Sequence, residues 1–456
     1  MKAVNGARGA LKTAPGAEAA RVAQTEQTEQ TEQIHERLQE FRKSARARLD
    51  KTAWPTVREE EWRRSDVAVF DFDSLAYPDA ELLAHTRAER KSKQFFSLNL
   101  GQSEEGAPLI SAGLLDRVFR HLEHVRDTAA NRLILWNLAL AEDIFVLHIS
   151  APSRSSSAGA AGKGAAGKDR DSAGKEAARA ERDVPEGDST EIHELCWHSL
   201  GEDISRHAAL IVLADEMSEG TVYLRLKGME GHVQNFAAFY DLGPGAALNV
   251  SVIQESSEEV VGFYQAAARM ERDSRLSHFE GILGGGFIKN RVEVELAGSG
   301  SELRLNGLYF ADNDQHVDMR TVQRHAADHA DSRTFYKGVI GDEAETIFQG
   351  LIEVSHEATG TDAYLTNNNL LVSDEAKSDS IPSLNINTND VKCSHGSTSG
   401  KINEEQIYYF QCRGFSRDDA EQMLILGYFE ELIDELPEKV QTNVRTRIQR
   451  RLQGSR

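Results

Sequence analysis

The chain is poor in cysteine and has no long apolar run. Its three cysteines, Cys196, Cys393 and Cys412, are too few and too scattered for a disulfide framework, which indicates a reducing compartment. No segment approaches the roughly 20 consecutive apolar residues that a membrane-spanning helix needs, and the N-terminus lacks the apolar centre of a signal peptide. We therefore expect a cytoplasmic protein with no membrane partner.

Basic residues are also fewer than acidic ones. Lysine and arginine number 52 against 73 aspartates and glutamates, which gives a formal net charge of -21. A field of this sign repels the phosphates of nucleic acids and anionic lipid headgroups. DNA, RNA and membrane surfaces are therefore poor candidates for partners. The length of 456 residues and the hydrophobic share of 40% are enough for a substantial core with additional segments around it.

Near residue 34 the sequence changes from a low-complexity composition to a regular spacing of apolar residues. Residues 1–33 are rich in alanine and glycine and end in the polar repeat TEQTEQTEQ, so we expect a disordered N-terminal extension. Apolar residues then recur with helical spacing, beginning with Ile34, Leu38 and Phe41, and further amphipathic segments follow. We predict an N-terminal helical domain over residues 34–145.

The central part of the sequence has the pattern of β-strands. Short alternating runs such as TVYLRLKG and RVEVELAG end at turn residues, and a unit that closes on glycine recurs at Gly281, Gly307 and Gly338. A spacing of about thirty residues between such units is typical of a solenoid. We predict a mainly β protein with a right-handed parallel β-helix over residues 146–400; a β-sandwich is the alternative. Residues 152–190 have almost no large apolar side chains, so we expect a disordered insert there.

Beyond the β-rich region, residues 401–456 read as a C-terminal helical domain. Ser416 precedes acidic residues and an apolar run, as expected at a helix N-terminus. The apolar side chains of this helix occupy most of its circumference, so the helix must bury more than one face. One part can pack on the β core, and the rest is a candidate docking surface; complete burial within the domain is the alternative. The candidate docking residues are Met423, Leu426, Tyr428, Phe429, Leu432 and Ile433.

Cys393 and His395 are the candidate site residues. Residues two apart in a strand face the same side, so the thiol and the imidazole can share one space while Ser394 points away. Thiolate and imidazole are suitable ligands for iron and for iron–sulfur species. Two ligands are too few to hold a cluster, so the others must come from elsewhere, as at a subunit interface. The alternative is a buried cysteine beside a hydrogen-bonded histidine.

Residues 313–437 resemble the SufB/SufD family, and the segments TNNNLLVS, DVKCSHG and RGFSRDDAEQM are similar to its SufD branch. The resemblance implies a β-helix core with helical ends. It also implies pairing with a SufB-like subunit, with Cys393 and His395 at that interface and His395 as the more important residue. The C-terminal helical domain is expected to bind a SufC-like ATPase.

Two classes of function follow. The first is a non-catalytic scaffold subunit of a SufBCD-type complex for iron–sulfur cluster assembly, with ATP hydrolysis in the SufC-like partner. Such a subunit would bind no stable cofactor alone and would hold iron or a cluster transiently, in the complex. The second is a stand-alone β-helix enzyme acting on a carbohydrate or acyl substrate. No paired carboxylates or nucleophile with a base favour the enzyme, so we predict the scaffold. Whether the free chain forms a homodimer through an exposed sheet edge stays open.

Overall fold

The computed structural model describes residues 15–54, 56, 58–59, 62–65, 87–90, 95–98, 112–128, 132–151, 191–202 and 204–454. The predicted insert, 152–190, lies outside the described residues, as do residues 1–14. The helices are α1 Pro15–Leu49, α2 Ala112–Thr128, α3 Arg132–Leu140, α4 Glu404–Gln411, α5 Arg417–Ile433 and α6 Glu438–Gly454. No helix within these ranges is long and apolar enough to cross a membrane.

The strands begin near residue 87 and end at the start of the C-terminal helices. They are β1 Arg87–Arg90, β2 Phe95–Ser97, β3 Asp143–Ile149, β4 Ile192–Ser199, β5 Ser205–Ala214, β6 Glu219–Gly228, β7 Val233–Leu242, β8 Ala247–Gln254, β9 Val261–Met270, β10 Arg275–Ile282, β11 Phe287–Leu296, β12 Glu302–Ala311, β13 His316–His325, β14 Asp331–Ile340, β15 Glu345–Val354, β16 Thr361–Leu371, β17 Lys377–Ile386 and β18 Val391–Lys401.

These strands form two nine-stranded sheets. Sheet one has the order β1-β4-β6-β8-β10-β12-β14-β16-β18, and sheet two has the order β17-β15-β13-β11-β9-β7-β5-β3-β2. From β3 onwards, successive strands alternate between the sheets, and all pairs are parallel except β1 with β4 and β2 with β3. The prediction of a mainly β, parallel solenoid with helices at its ends is therefore confirmed, and the β-sandwich alternative is wrong, because a sandwich is built from antiparallel sheets.

The glycines that mark the sequence repeat have a packing role in the coils. A Cβ atom at Gly307 would lie 2.2 Å from Cε1 of Tyr336, and one at Gly338 would lie 2.1 Å from Cε2 of Tyr309. Each glycine therefore leaves room for the aromatic ring of the neighbouring coil, where only a residue without a Cβ fits.

Three apolar clusters hold the described residues together. The largest fills the space between the two sheets and includes Leu224, Val252 and Tyr264. The second lies where α1, α2 and α3 cover the outer face of sheet two, and Ile34 and Phe41 are buried in it. The third, described below, lies between the C-terminal helices and sheet one. Helices thus cover each sheet on the face that the solenoid interior does not use.

Helix α1 begins earlier than the sequence analysis predicts. It starts at Pro15, so residues 15–33, which were expected to be disordered, are helical. Alanine, glutamate and glutamine are strong helix formers, and proline is well tolerated at the first helical position. The expectation of disorder rested on the alanine- and glycine-rich composition and on the low-complexity polar repeat, which do not measure helix propensity.

The interior of the solenoid contains a buried carboxyl group. Glu280 is fully enclosed; it accepts hydrogen bonds from Tyr336 Oη and, at 2.9 Å, from Asn290 Nδ2. Burial raises the pKa of Glu280 to about 7, and the hydrogen bonds from Tyr336 and Asn290 limit the rise. The interior thus accommodates the neutral acid more readily than the carboxylate.

We expect this carboxyl group to make stability depend on pH. Because the pKa of Glu280 is higher in the folded chain than its ordinary value of 4.5, its contribution to the free energy of unfolding is greatest below pH 4.5 and falls as the pH rises to about 7. The loss should reach about 3 kcal/mol at most. Urea unfolding of the wild type and of Glu280→Gln, followed by circular dichroism between pH 5 and 8, measures it. The difference in the free energy of unfolding between the two proteins should change with pH. If the two free energies instead vary with pH in parallel, the raised pKa of Glu280 is wrong.

Candidate functional site

The last coil of the solenoid has a free edge on each sheet. Among the residues that the structure describes, strand β17 pairs only with β15, and β18 pairs only with β16. Most side chains of both strands are exposed or partly exposed, in contrast to the buried strands that precede them. The end of the solenoid therefore presents unpaired backbone groups, which can accept a further strand.

Cys393 and His395 lie on β18, at this free edge. Cys393 is in register with Ala363, and His395 is in register with Leu365. Ala363 and Leu365 are buried in the solenoid interior, and residues paired in register face the same side of a sheet. Cys393 and His395 therefore both face the interior side of the last coil, where no further coil covers them.

The two side chains differ in their exposure. His395 is exposed, whereas Cys393 is partly buried and packs against the interior cluster. Burial raises the pKa of the Cys393 thiol; a backbone hydrogen bond from Ala363 lowers it, and the charge of Asp362 raises it further. In the free chain the thiol is therefore protonated near neutral pH. Binding of a metal ion or of a sulfur species would have to displace that proton.

The pair has no third ligand close by. Within the described ranges, no three side chains of His, Cys, Asp or Glu come together closely enough to hold a metal ion. Another cysteine and histidine two residues apart lie on β4, where Cys196 Sγ is 3.1 Å from His198 Nε2. The sequence analysis did not identify this pair, although the spacing is the same as in Cys393 and His395. Because Cys196 is buried, we do not assign this pair a role.

Helix α5 packs on the outer face of sheet one. The Ser416 hydroxyl accepts a hydrogen bond of 3.0 Å from the backbone N–H of Asp419, which caps the helix. Of the six candidate docking residues, Phe429, Leu432 and Ile433 are buried in the cluster shared with the sheet. Leu426 and Tyr428 are partly buried, and Met423 is exposed by 44%. The helix therefore uses most of its apolar surface within its own domain.

Other apolar side chains of the helical domain remain on the surface. Tyr408 and Tyr409 on α4 are exposed by 69% and 55%, and Phe415 in the turn before α5 is exposed by 41%. The sequence analysis did not select them, although the run IYYF and the segment RGF contain them. Large exposed apolar residues in one small domain are typical of an interaction surface. These features define a β-solenoid protein whose candidate sites lie on its surface, at a free strand edge and on its terminal helices.

Comparison with known proteins identifies the family. Residues 198–428 match the model of the family described as "SUF system FeS cluster assembly, SufBD core domain". Because this match covers half of the 456 residues, the chain belongs to the SufB/SufD family of iron–sulfur cluster assembly proteins. The matched region contains Cys393 and His395 as well as most of the solenoid.

Individual relatives agree with this assignment. The chain is 39% identical over 174 residues to the iron–sulfur cluster assembly protein SufD of Escherichia coli, a match that covers 38% of this chain and 41% of that protein. It is 32% identical over 241 residues to a SufBD family protein of Mycobacterium bovis, covering 51% of this chain and 60% of the relative. The chain thus spans about half the length of the curated relatives it matches. The predicted similarity to the SufD branch is confirmed.

The burial of the cysteines predicts their order of reactivity. We expect iodoacetamide to alkylate the exposed Cys412 fastest, the partly buried Cys393 more slowly, and the buried Cys196 last. Because the pKa of Cys393 is raised, its rate should still be increasing at pH 9. Mass spectrometry of timed samples gives the three rates, and urea-unfolded protein is the control in which the differences should disappear. Faster labelling of Cys393 than of Cys412 at pH 7.5 would contradict the burial of Cys393 in this structure.

Proposed function

We propose that the protein is a non-catalytic scaffold subunit of a SufBCD-type complex for iron–sulfur cluster assembly. The observation that carries the proposal is the position of Cys393 and His395 on β18, the free edge strand of a solenoid in the SufB/SufD family. A cysteine and a histidine that face the open end of a coil can contribute ligands to a cluster only together with residues from another chain.

A SufB-like subunit is the proposed partner at this edge. An added strand would satisfy the free backbone groups of β18 and would cover the side on which Cys393 and His395 lie. The partner would supply the remaining ligands, and iron or the nascent cluster is cargo that the interface holds transiently. In this proposal the chain has no resident cofactor of its own. The three free thiols suit the reducing cytoplasm, where we place the complex.

A SufC-like ATPase is the proposed partner of the C-terminal helices. Met423, Tyr408, Tyr409 and Phe415 provide exposed apolar surface of the kind that anchors protein–protein interfaces. ATP hydrolysis would take place in that partner and drive a conformational change in the complex. The described residues offer no observation that favours the alternative, a stand-alone enzyme acting on a carbohydrate or acyl substrate.

The function can be tested by co-expression with SufB-like and SufC-like subunits from the same source and by anaerobic purification. We expect a complex that contains iron and sulfide and has a higher ATPase activity than the SufC-like subunit alone. A chain that purifies without either partner would contradict the proposal.

His395→Ala tests the cluster site. Because His395 is exposed, the variant should fold and join the complex, but the iron and sulfide content should fall at least tenfold, because the cluster loses a ligand. His356→Ala is the matched control, because His356 is another exposed histidine of the solenoid, in the turn after β15. The complex with this variant should keep its full iron and sulfide content. Normal iron and sulfide in the His395→Ala complex would contradict the site.

Met423→Ala tests the helical docking surface. Loss of an exposed apolar contact should weaken binding of the SufC-like subunit about tenfold, as measured by biolayer interferometry. Met229→Ala is the matched control, because Met229 is exposed by 68% in a turn of the solenoid and should not affect binding. Equal affinities for the two variants would show that this part of α5 is not the docking surface.

A further inference from the structure

The two free edges of the last coil are not equivalent. Strand β17 contains Pro382, which has no backbone N–H, and proline is tolerated in a strand where its nitrogen faces the free edge. The free edge of β17 therefore lacks a donor near its centre. Strand β18 spans eleven residues, VKCSHGSTSGK, and contains no proline. Strand β18 is consequently the edge that can pair along its whole length.

The outer face of sheet one carries a ladder of ion pairs that runs towards β18. Arg304 on β12 contacts Asp331 on β14, with 2.5 Å between Nη1 and Oδ1. Arg333 on β14 lies 3.0 Å from the Asp331 carboxylate and 2.9 Å from that of Asp362 on β16. Each carboxylate in the ladder is therefore matched by an arginine on its own strand or on the preceding one.

Lys392 is the last charged residue of this ladder. It is in register with Asp362, is exposed, and makes no ion pair within the described part of the chain. The carboxylate of Asp362 is already bound by Arg333. Because Lys392 is exposed on the edge strand, a carboxylate on a strand added beyond β18 could approach its ammonium group.

The composition of the edges argues against a second copy of the chain as the source of that carboxylate. Strand β18 contains two lysines and no aspartate or glutamate, and Lys401 is already paired with Asp374. Strand β17 has one carboxylate, Asp379, but Arg64 contacts it at 2.5 Å and Pro382 interrupts the edge. Strand β18 of a second copy would thus place none of its own side chains as a carboxylate opposite Lys392.

We propose that the strand of the SufB-like subunit that pairs with β18 presents a carboxylate opposite Lys392. Opposite charges on neighbouring strands stabilise the pairing, whereas like charges destabilise it. Lys392 would thereby extend the ladder across the interface and select the partner and its register. The inference rests on the proposed pairing with a SufB-like subunit and adds the residue that determines its specificity.

The test uses the full chain and the SufB-like subunit from the same source, with affinities measured by biolayer interferometry at 50 and 300 mM NaCl. We expect Lys392→Glu to weaken binding about tenfold at low salt, because it places like charges opposite each other. Lys392→Met, which removes the charge but keeps most of the length of the side chain, should weaken binding less and should reduce the salt dependence. Lys377→Glu makes the same charge reversal at the start of β17 and should leave the affinity unchanged.

The outcomes separate this inference from the proposed function. If the wild type binds the SufB-like subunit and Lys392→Glu binds equally well, the role of Lys392 is wrong while the pairing stands. If the wild type does not bind, the proposed pairing itself fails. Sedimentation velocity of the chain alone adds a third outcome. Self-association that Lys392→Glu abolishes, with unchanged partner binding, would show that a second copy occupies β18 and would overturn the inference. Circular dichroism verifies that each variant is folded.

Discussion

The in-register stacking of parallel coils is the constraint on which the rest of this structure depends. Each strand of a coil forms its backbone hydrogen bonds with the coil before it and the coil after it, so every inner coil is satisfied on both sides. The last coil has a neighbour on one side only, and its strands β17 and β18 are left as edges. A solenoid that does not close on itself must end in this way, and the exposed end needs a cap or a partner.

The candidate site follows from that same constraint. In an inner coil, the positions of Cys393 and His395 would be covered by the next coil, as Ala363 and Leu365 are. At the end of the stack the same positions are accessible, while the register still fixes their direction. The charge ladder on the opposite face of the sheet ends at Lys392 for the same reason. One edge strand thus carries a cysteine and a histidine on its inner face and a lysine on its outer face.

The helices at the two ends of the chain cover the outer faces of different sheets. The N-terminal helices pack on sheet two and the C-terminal helices on sheet one. Lys337 on β14 fixes α5 in place, because its ammonium group donates to the Tyr428 carbonyl at 2.9 Å and lies 2.6 Å from the Glu431 carboxylate. The helical domain is therefore attached to the same coils that lead to the free edge.

The sequence by itself determined the parallel solenoid and the placement of Cys393 and His395 on a common strand, because the strand period and the repeated glycines are local signals. The family followed from the resemblance of segments such as DVKCSHG and RGFSRDDAEQM. Only the tertiary structure decided which apolar residues of α5 stay exposed. A helix that is apolar all round has no periodic signal to distinguish the side that faces the sheet, so Met423 and Phe429 look equivalent in the sequence. The ladder that ends at Lys392 joins residues about thirty positions apart, and it exists only because the coil register aligns them.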